Sequence, residues 1–561
     1  MPDHSPMNRA GFLRLAGATG AAGVLAGCGG GTEPEGERVL LTNVRGYTIA
    51  DGKLRRFGSV LIGADGKVAA LDPGNTGGAR QVDGRGRVCL PGLHDAHCHL
   101  SSLAEQQDTV ELSDTGSLDE ALGRLRDWSG KHPGNDWITG GRWNDVRWHL
   151  GRLPGAADLD RAVADRPVAL ERVDGHAMLV NSAALGKLGI TADTPAPQGG
   201  QIVRGPDGKP TGLFVDAAAD LVTAKLPQPS ETVRRQRFRE LQRTLNSVGL
   251  TSVSDADMTA ADLAALRSEI GSLSYRANVF LSWDAFTELA ASARTDSAHH
   301  DRLRVRTVKL YADGALGSHG AAMLAPYADD PTASGLPQLT QAELDERVRK
   351  VVGAGFQCAV HAIGDRGNRM VLDAYERAFG GREQPLRHRV EHAQILDPAD
   401  IPRFPKLGLI ASMQPVHATD DMNMAETRIG RERMAGAYAW RRLLDEGVVV
   451  PAGSDFAVSS HNPFDGWHAA VTRTDHEGKP HGGWYPEQAM TPVEALRAYT
   501  HDAAYAAHQE HVLGSLEPGK WADLLLIDQD PFELPSGKAV WQTKVLETWL
   551  AGRRVGQYGQ L

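Results

Sequence analysis

Between residues 88 and 456, short apolar runs rich in β-branched residues alternate with longer stretches in which apolar positions recur every three or four residues. The first pattern predicts buried strands, the second amphipathic helices, and their alternation is the signature of parallel β/α units. Eight runs qualify as strands: VCLPGLHDAH (88–97), LTSVSDA (250–256), YRANVFL (275–281), VRTVKLYADG (305–314), QCAVHAIG (357–364), HRVEHAQIL (388–396), LIASMQPV (409–416) and VVVPAGSDF (448–456). Helical patterns separate most of them, as in QAELDERVRKVVGAG, NRMVLDAYERAFGG and AYAWRRLLDEG. This predicts an α/β protein, a closed (β/α)8 TIM-like barrel with chemistry at the C-terminal strand ends; a doubly wound sheet is the structural alternative. Residues 101–249 exceed what one crossover requires, so an inserted subdomain is expected after barrel strand one. It holds its own strand-like pieces, PVALERV and GGQIVRGPDGKPTGLFV, and could cap the barrel mouth. Residues 38–87 and 515–561 carry short β-branched stretches between Gly and Asp turns, which gives two half-sheets flanking a barrel at 88–514.

Composition narrows the partners. The 561 residues are 41% hydrophobic and 23% charged with a net charge of −10, which fits a folded body and small-molecule substrates rather than nucleic acid. The arginine-rich stretch VRRQRFRELQR (233–243) reads as a helix with a solvated face. Four scattered cysteines, Cys28, Cys89, Cys98 and Cys358, do not make a disulfide framework. At the N-terminus, Arg9 and Arg14 precede a small-residue apolar run, Ala16 to Ala26, ending in LAGC. That layout predicts a signal peptide over 1–27, the run being shorter than the about 20 residues a membrane span needs. LAGC resembles the bacterial lipoprotein box, so Cys28 is expected to be lipidated and 28–37 to act as a tether, with export to a membrane face; a plain cleaved signal is the alternative. Twin-arginine and general export are both open, since Ala10 stands where a second arginine belongs.

The sharpest chemical signal is PGLHDAHCHL (91–100). On a strand His97 and His99 point the same way, about 6.6 Å apart, and both imidazoles can reach one metal. Asp95 shares their face and could orient a ligand, while Cys98 faces the packing side. His361, His392 and Asp455 stand at or near the ends of three later strands. Singly, each reads as ordinary structure, a hydrogen-bonded histidine or a helix cap; together they favour a divalent metal, most naturally Zn2+. Lys309 is unusual inside a β-branched strand; buried near a cation its amine becomes neutral and able to take up carbon dioxide as a carbamate.

These motifs, with VKLYADGALGS (308–318), DGH (174–176), NSAAL (181–185), PTGL (210–213) and the terminal GSLEPGKWADLLLID, resemble the amidohydrolase superfamily, in its YtcJ-like branch. The resemblance spans nearly all of the mature chain. It implies a (β/α)8 barrel with a split β-sandwich, one or two metal ions on His97, His99, His361 and His392, a carboxylated or unmodified Lys309, and Asp455 as ligand and proton acceptor. His94 departs from the family, which usually has an apolar residue there. The implied reaction is hydrolysis of an amide-type carbon–nitrogen bond by metal-bound hydroxide; ester or lactone cleavage would use the same groups. His176 would contact substrate or an oxyanion, or else be a structural turn residue, and Gln414 and His417 are candidate substrate contacts with a structural role as the alternative. A serine hydrolase lacks its G-x-S-x-G elbow here, and P-loop and dinucleotide fingerprints are absent. A non-catalytic metal- or solute-binding lipoprotein is the alternative from another class.

Overall fold

The computed structural model describes residues 36–558 apart from 135, 146, 173–176, 198–199, 217, 382–384 and 535–536. The expected signal peptide, Cys28 and His176 lie outside the described residues.

Seven parallel strands follow one another round the barrel in chain order: Leu93–Cys98, Leu250–Met258, Arg276–Leu281, Leu303–Tyr311, Gln357–Ala362, Arg389–His392 and Ile410–Ser412. They form because both faces are buried, the inner one by the barrel filling and the outer one by helices such as Gln341–Gly353 and Asp365–Phe379. The eighth predicted strand, 448–456, differs. It is no regular strand but pairs through an isolated bridge between Met413 and Ala452, because Pro451 has no N–H to give a ladder. It still closes the ring: Ala411 N donates to Val449 O, Met413 N to Pro451 O, Ala96 N to Ala452 O and Asp455 N to His97 O at 2.8–3.2 Å. A Cβ on Gly453 would fall 2.5 Å from His97 N, so only glycine lets this segment lie so close to strand one.

The predicted strand 88–97 is really two. Arg80–Pro91 belongs to an eight-stranded sheet assembled from both chain ends, and Leu93–Cys98 to the barrel, with Gly92 between them. That sheet has its own apolar core, including Val39, Leu41, Phe57, Leu524 and Trp549. The insertion is narrower than 101–249. Helices Leu100–Gln107 and Glu231–Ser247 bury Leu100, Leu103, Phe238 and Leu241 in the barrel core, and the separate cores of the insert run from Val110 to Val222 around a six-stranded sheet. Arg142 of that sheet donates to Ala457 O (2.9 Å), two residues beyond Asp455, so the insert touches the barrel mouth. The described chain enters at Gly36, on the opposite barrel face, beside Arg276, Arg302 and Trp521. Among the described residues no helix is long and apolar enough to cross a membrane.

Candidate metal centre

Strand geometry delivers the imidazoles. His97 and His361 point inward from strands one and five, and His99 caps the helix that follows strand one. His392 and Asp455 both adopt left-handed backbone, φ 70° and 58°, which turns their side chains back into the barrel. The rings converge: His97 to His99 5.7 Å, His97 to His392 5.0 Å, and His361 to His392 4.5 Å between centroids. Lys309 Nζ lies 3.1 Å from His97 Nε2 and is 1% exposed.

The ring orientations are fixed from behind. His97 Nδ1 donates to Glu391 Oε2 (2.5 Å), and Arg389, itself buried, donates to Glu391 Oε1 (2.6 Å), Ser412 Oγ (2.7 Å) and Ala96 O (2.8 Å). His392 Nδ1 donates to Gln414 Oε1 (2.7 Å). These bonds leave the Nε2 lone pairs of His97 and His392 turned toward the centre. Asp95 does not touch an imidazole; it accepts from His97 N, Ser454 N and Ser454 Oγ and so ties strand one to the closing segment. His94 is likewise outside the cluster, with Nε2 3.0 Å from Ser254 Oγ. Cys89, Cys98 and Cys358 are free and buried. Gln414 stands behind His392, and His417 stacks on His392 at 6.0 Å.

The electrostatics keep the donors ready. Burial, aided by Lys309, pushes His97 down to about 4 and His361 to about 3, so both are neutral at pH 7. Burial lowers the Lys309 amine against the pull of Glu391 and Asp455. Burial would raise the Asp455 carboxyl, but His99, His97 and His392 outweigh it and hold it well below the usual carboxylate range. The nitrogen and oxygen donors fit a divalent cation: His361 Nε2 and His417 Nε2 are buried without a hydrogen-bond partner, a costly state unless a cation takes them up.

Sequence reasoning missed Glu391, Arg389 and Asp313. Asp313 accepts from Ile363 N, Gly364 N and Ala322 N and stands 3.6 Å from His361 Nε2. The signal available was an arginine two residues before a glutamate on strand six, a spacing that puts both on one face.

Fold and centre together define a barrel hydrolase of the imidazole–carboxylate type. A model of the amidohydrolase family matches residues 80–556. The putative amidohydrolase YtcJ of Bacillus subtilis is 32% identical over 477 residues, 81% of this chain and 86% of that protein. An N-substituted formamide deformylase of Arthrobacter pascens is 30% identical over 493 residues, 84% of this chain and 89% of that protein. The crystal structure of an uncharacterized metal-dependent hydrolase from Pyrococcus horikoshii OT3 superposes with a TM-score of 0.76 at 25% identity, over 90% of this chain and 100% of its own. This chain belongs to the amidohydrolase family, in the YtcJ-like branch its motifs resemble.

Proposed function

We propose that this hydrolase cleaves a non-peptide, amide-type carbon–nitrogen bond of a small molecule at a zinc centre held by His97, His99, His361, His392, Asp455 and Lys309. The observation that carries the reading is the convergence of four imidazoles, those of His97, His361 and His392 kept neutral by burial, on one ionised carboxylate. A divalent cation bound there supplies Lewis acidity, which acidifies water and polarises a carbonyl. Asp455 accepts the proton from the attacking water and returns it to the departing nitrogen. Glu391 and Gln414 hold their imidazoles in one tautomer throughout. Lys309, with its depressed pKa, carries the amine suited to carbamate formation. A cavity of about 750 Å3 beside the centre, lined by Lys309, Tyr311, Asp257, Gln338, Trp283 and Arg347, takes the non-reacting part of the substrate. The deformylase relative supports N-substituted formamides and related N-acyl amines as the first substrates to try.

The test is turnover of formamides, N-acyl amines and cyclic amides by purified protein. Chelation should stop it, zinc should restore it, and Asp455→Asn should lower kcat by about 10²–10⁴. Equal rates with chelator and with zinc overturn the reading. The signal layout and LAGC motif support export and anchoring through an acylated Cys28; Cys28→Ala should then move the protein from the membrane to the soluble fraction, and an unchanged distribution rules the anchor out.

A further inference from the structure

The two oxygens of Asp455 face different partners. Oδ1 stands 3.1 Å from His99 Nε2 and 3.5 Å from His97 Nε2, whereas Oδ2 stands 3.8 Å from His417 Nε2. Donor atoms of His97, His99 and Asp455 lie within 4.8 Å of one another, and those of His392, His417 and Asp455 form a second such group. Two three-donor groups therefore meet at one carboxylate. We infer that His417 is a ligand of a second divalent-cation position, completed by His392 and joined to the first by Asp455.

Three observations support this. The Nε2 atom of His417 is buried and has no hydrogen-bond partner, so a neutral structural histidine would leave it unsatisfied. Its ring lies nearly parallel to that of His392, at 13°, an arrangement in which neither ring blocks the other's approach to a shared ion. One turn of chain serves both ligands, because Gln414, at the start of helix Pro415–Asp421, fixes the His392 tautomer and His417 follows three residues later. Two nitrogens and a carboxylate oxygen are a donor set for zinc or a similar ion, with room left for a further ligand. His361 stands beside this position, its ring 4.5 Å from that of His392 and its Nε2 3.6 Å from Asp313 Oδ1. The resemblance alone gave His361 and His392 without His417; the structure adds the ligand from the helix after strand seven.

The inference rests on the proposed metal centre, and the experiment separates the two. Full-length protein is stripped of metal, then titrated with Zn2+ against a chromophoric chelator and with Co2+ followed by visible absorption. Wild type should take up two equivalents. His417→Ala should keep the first and bind the second about 10-fold or more weakly, with the Co2+ spectrum altered only for that second equivalent. His417→Gln, which preserves most of the volume, covers the case in which the alanine variant is unfolded, and thermal melting of the metal-free forms checks both. If either folded variant binds two equivalents as wild type does, or wild type binds only one, the second position is overturned while the metal centre stands. If wild type binds none, both fail.

Discussion

At the scale of single residues, Glu391 governs the centre without facing the substrate. It is buried between Arg389 and His97, so removing it strands one guanidinium and leaves one imidazole unoriented. Glu391→Leu should lower stability by about 3–5 kcal/mol, measured by denaturant unfolding, because an unpaired charge remains in the core. Glu391→Gln, which can still accept from His97 Nδ1, should lose less stability and retain part of its metal affinity. The pair His97 and His99 was legible because a strand alternates with period two. Glu391 was not, for the same reason. Strict alternation sends residues 391 and 392 to opposite faces, and only the left-handed backbone of His392 brings its ring to the centre as well. No pattern of residue types announces that turn.

At the scale of elements, the arginine-rich helix Glu231–Ser247 is a clamp rather than a freely solvated face. Arg235 and Arg239 both bind Glu269 of the neighbouring helix Ala260–Glu269, Arg234 pairs with Asp262, and Arg237 pairs with Asp108. Periodicity showed the helix, but its partners lie too far along the chain for periodicity to register. The hydrogen bond from Arg239, opposed by desolvation and reinforced by Arg235, pulls the Glu269 carboxyl from 4.5 down to about 2. A depressed carboxyl contributes stability that is complete above its unfolded pKa and is lost as pH falls from about 4.5 towards 2. Glu269→Gln should therefore cost about 1–2 kcal/mol at pH 7, and the difference from wild type should shrink to nothing across that window in urea melts. The closing segment 448–456 makes the complementary point. Its apolar run was readable as the eighth strand, whereas its irregularity follows from Pro451 and from the close approach at Gly453, which depends on packing against strand one.

At the scale of the whole molecule, the sheet built from both chain ends is fastened to the barrel by a buried ion pair. Arg276, the first residue of strand three, donates to Asp523 through Nε (2.6 Å) and Nη2 (3.0 Å), with Trp521 stacked on the guanidinium. Arg276→Met should destabilise the protein by about 3–5 kcal/mol, seen as a lower melting temperature, and adding Asp523→Leu should recover part of the loss by removing the stranded carboxylate. Apolar runs at the two termini revealed that such a sheet exists; the fastening did not show, since 247 residues separate its two halves. The entry of the chain at Gly36 gives the molecule an orientation. With Cys28 as anchor, eight peptide units reach at most about 28 Å. Under the proposed anchoring at Cys28, such a leash would keep the floor of the barrel near the lipid headgroups, and compounds would then reach the opening by diffusion through water.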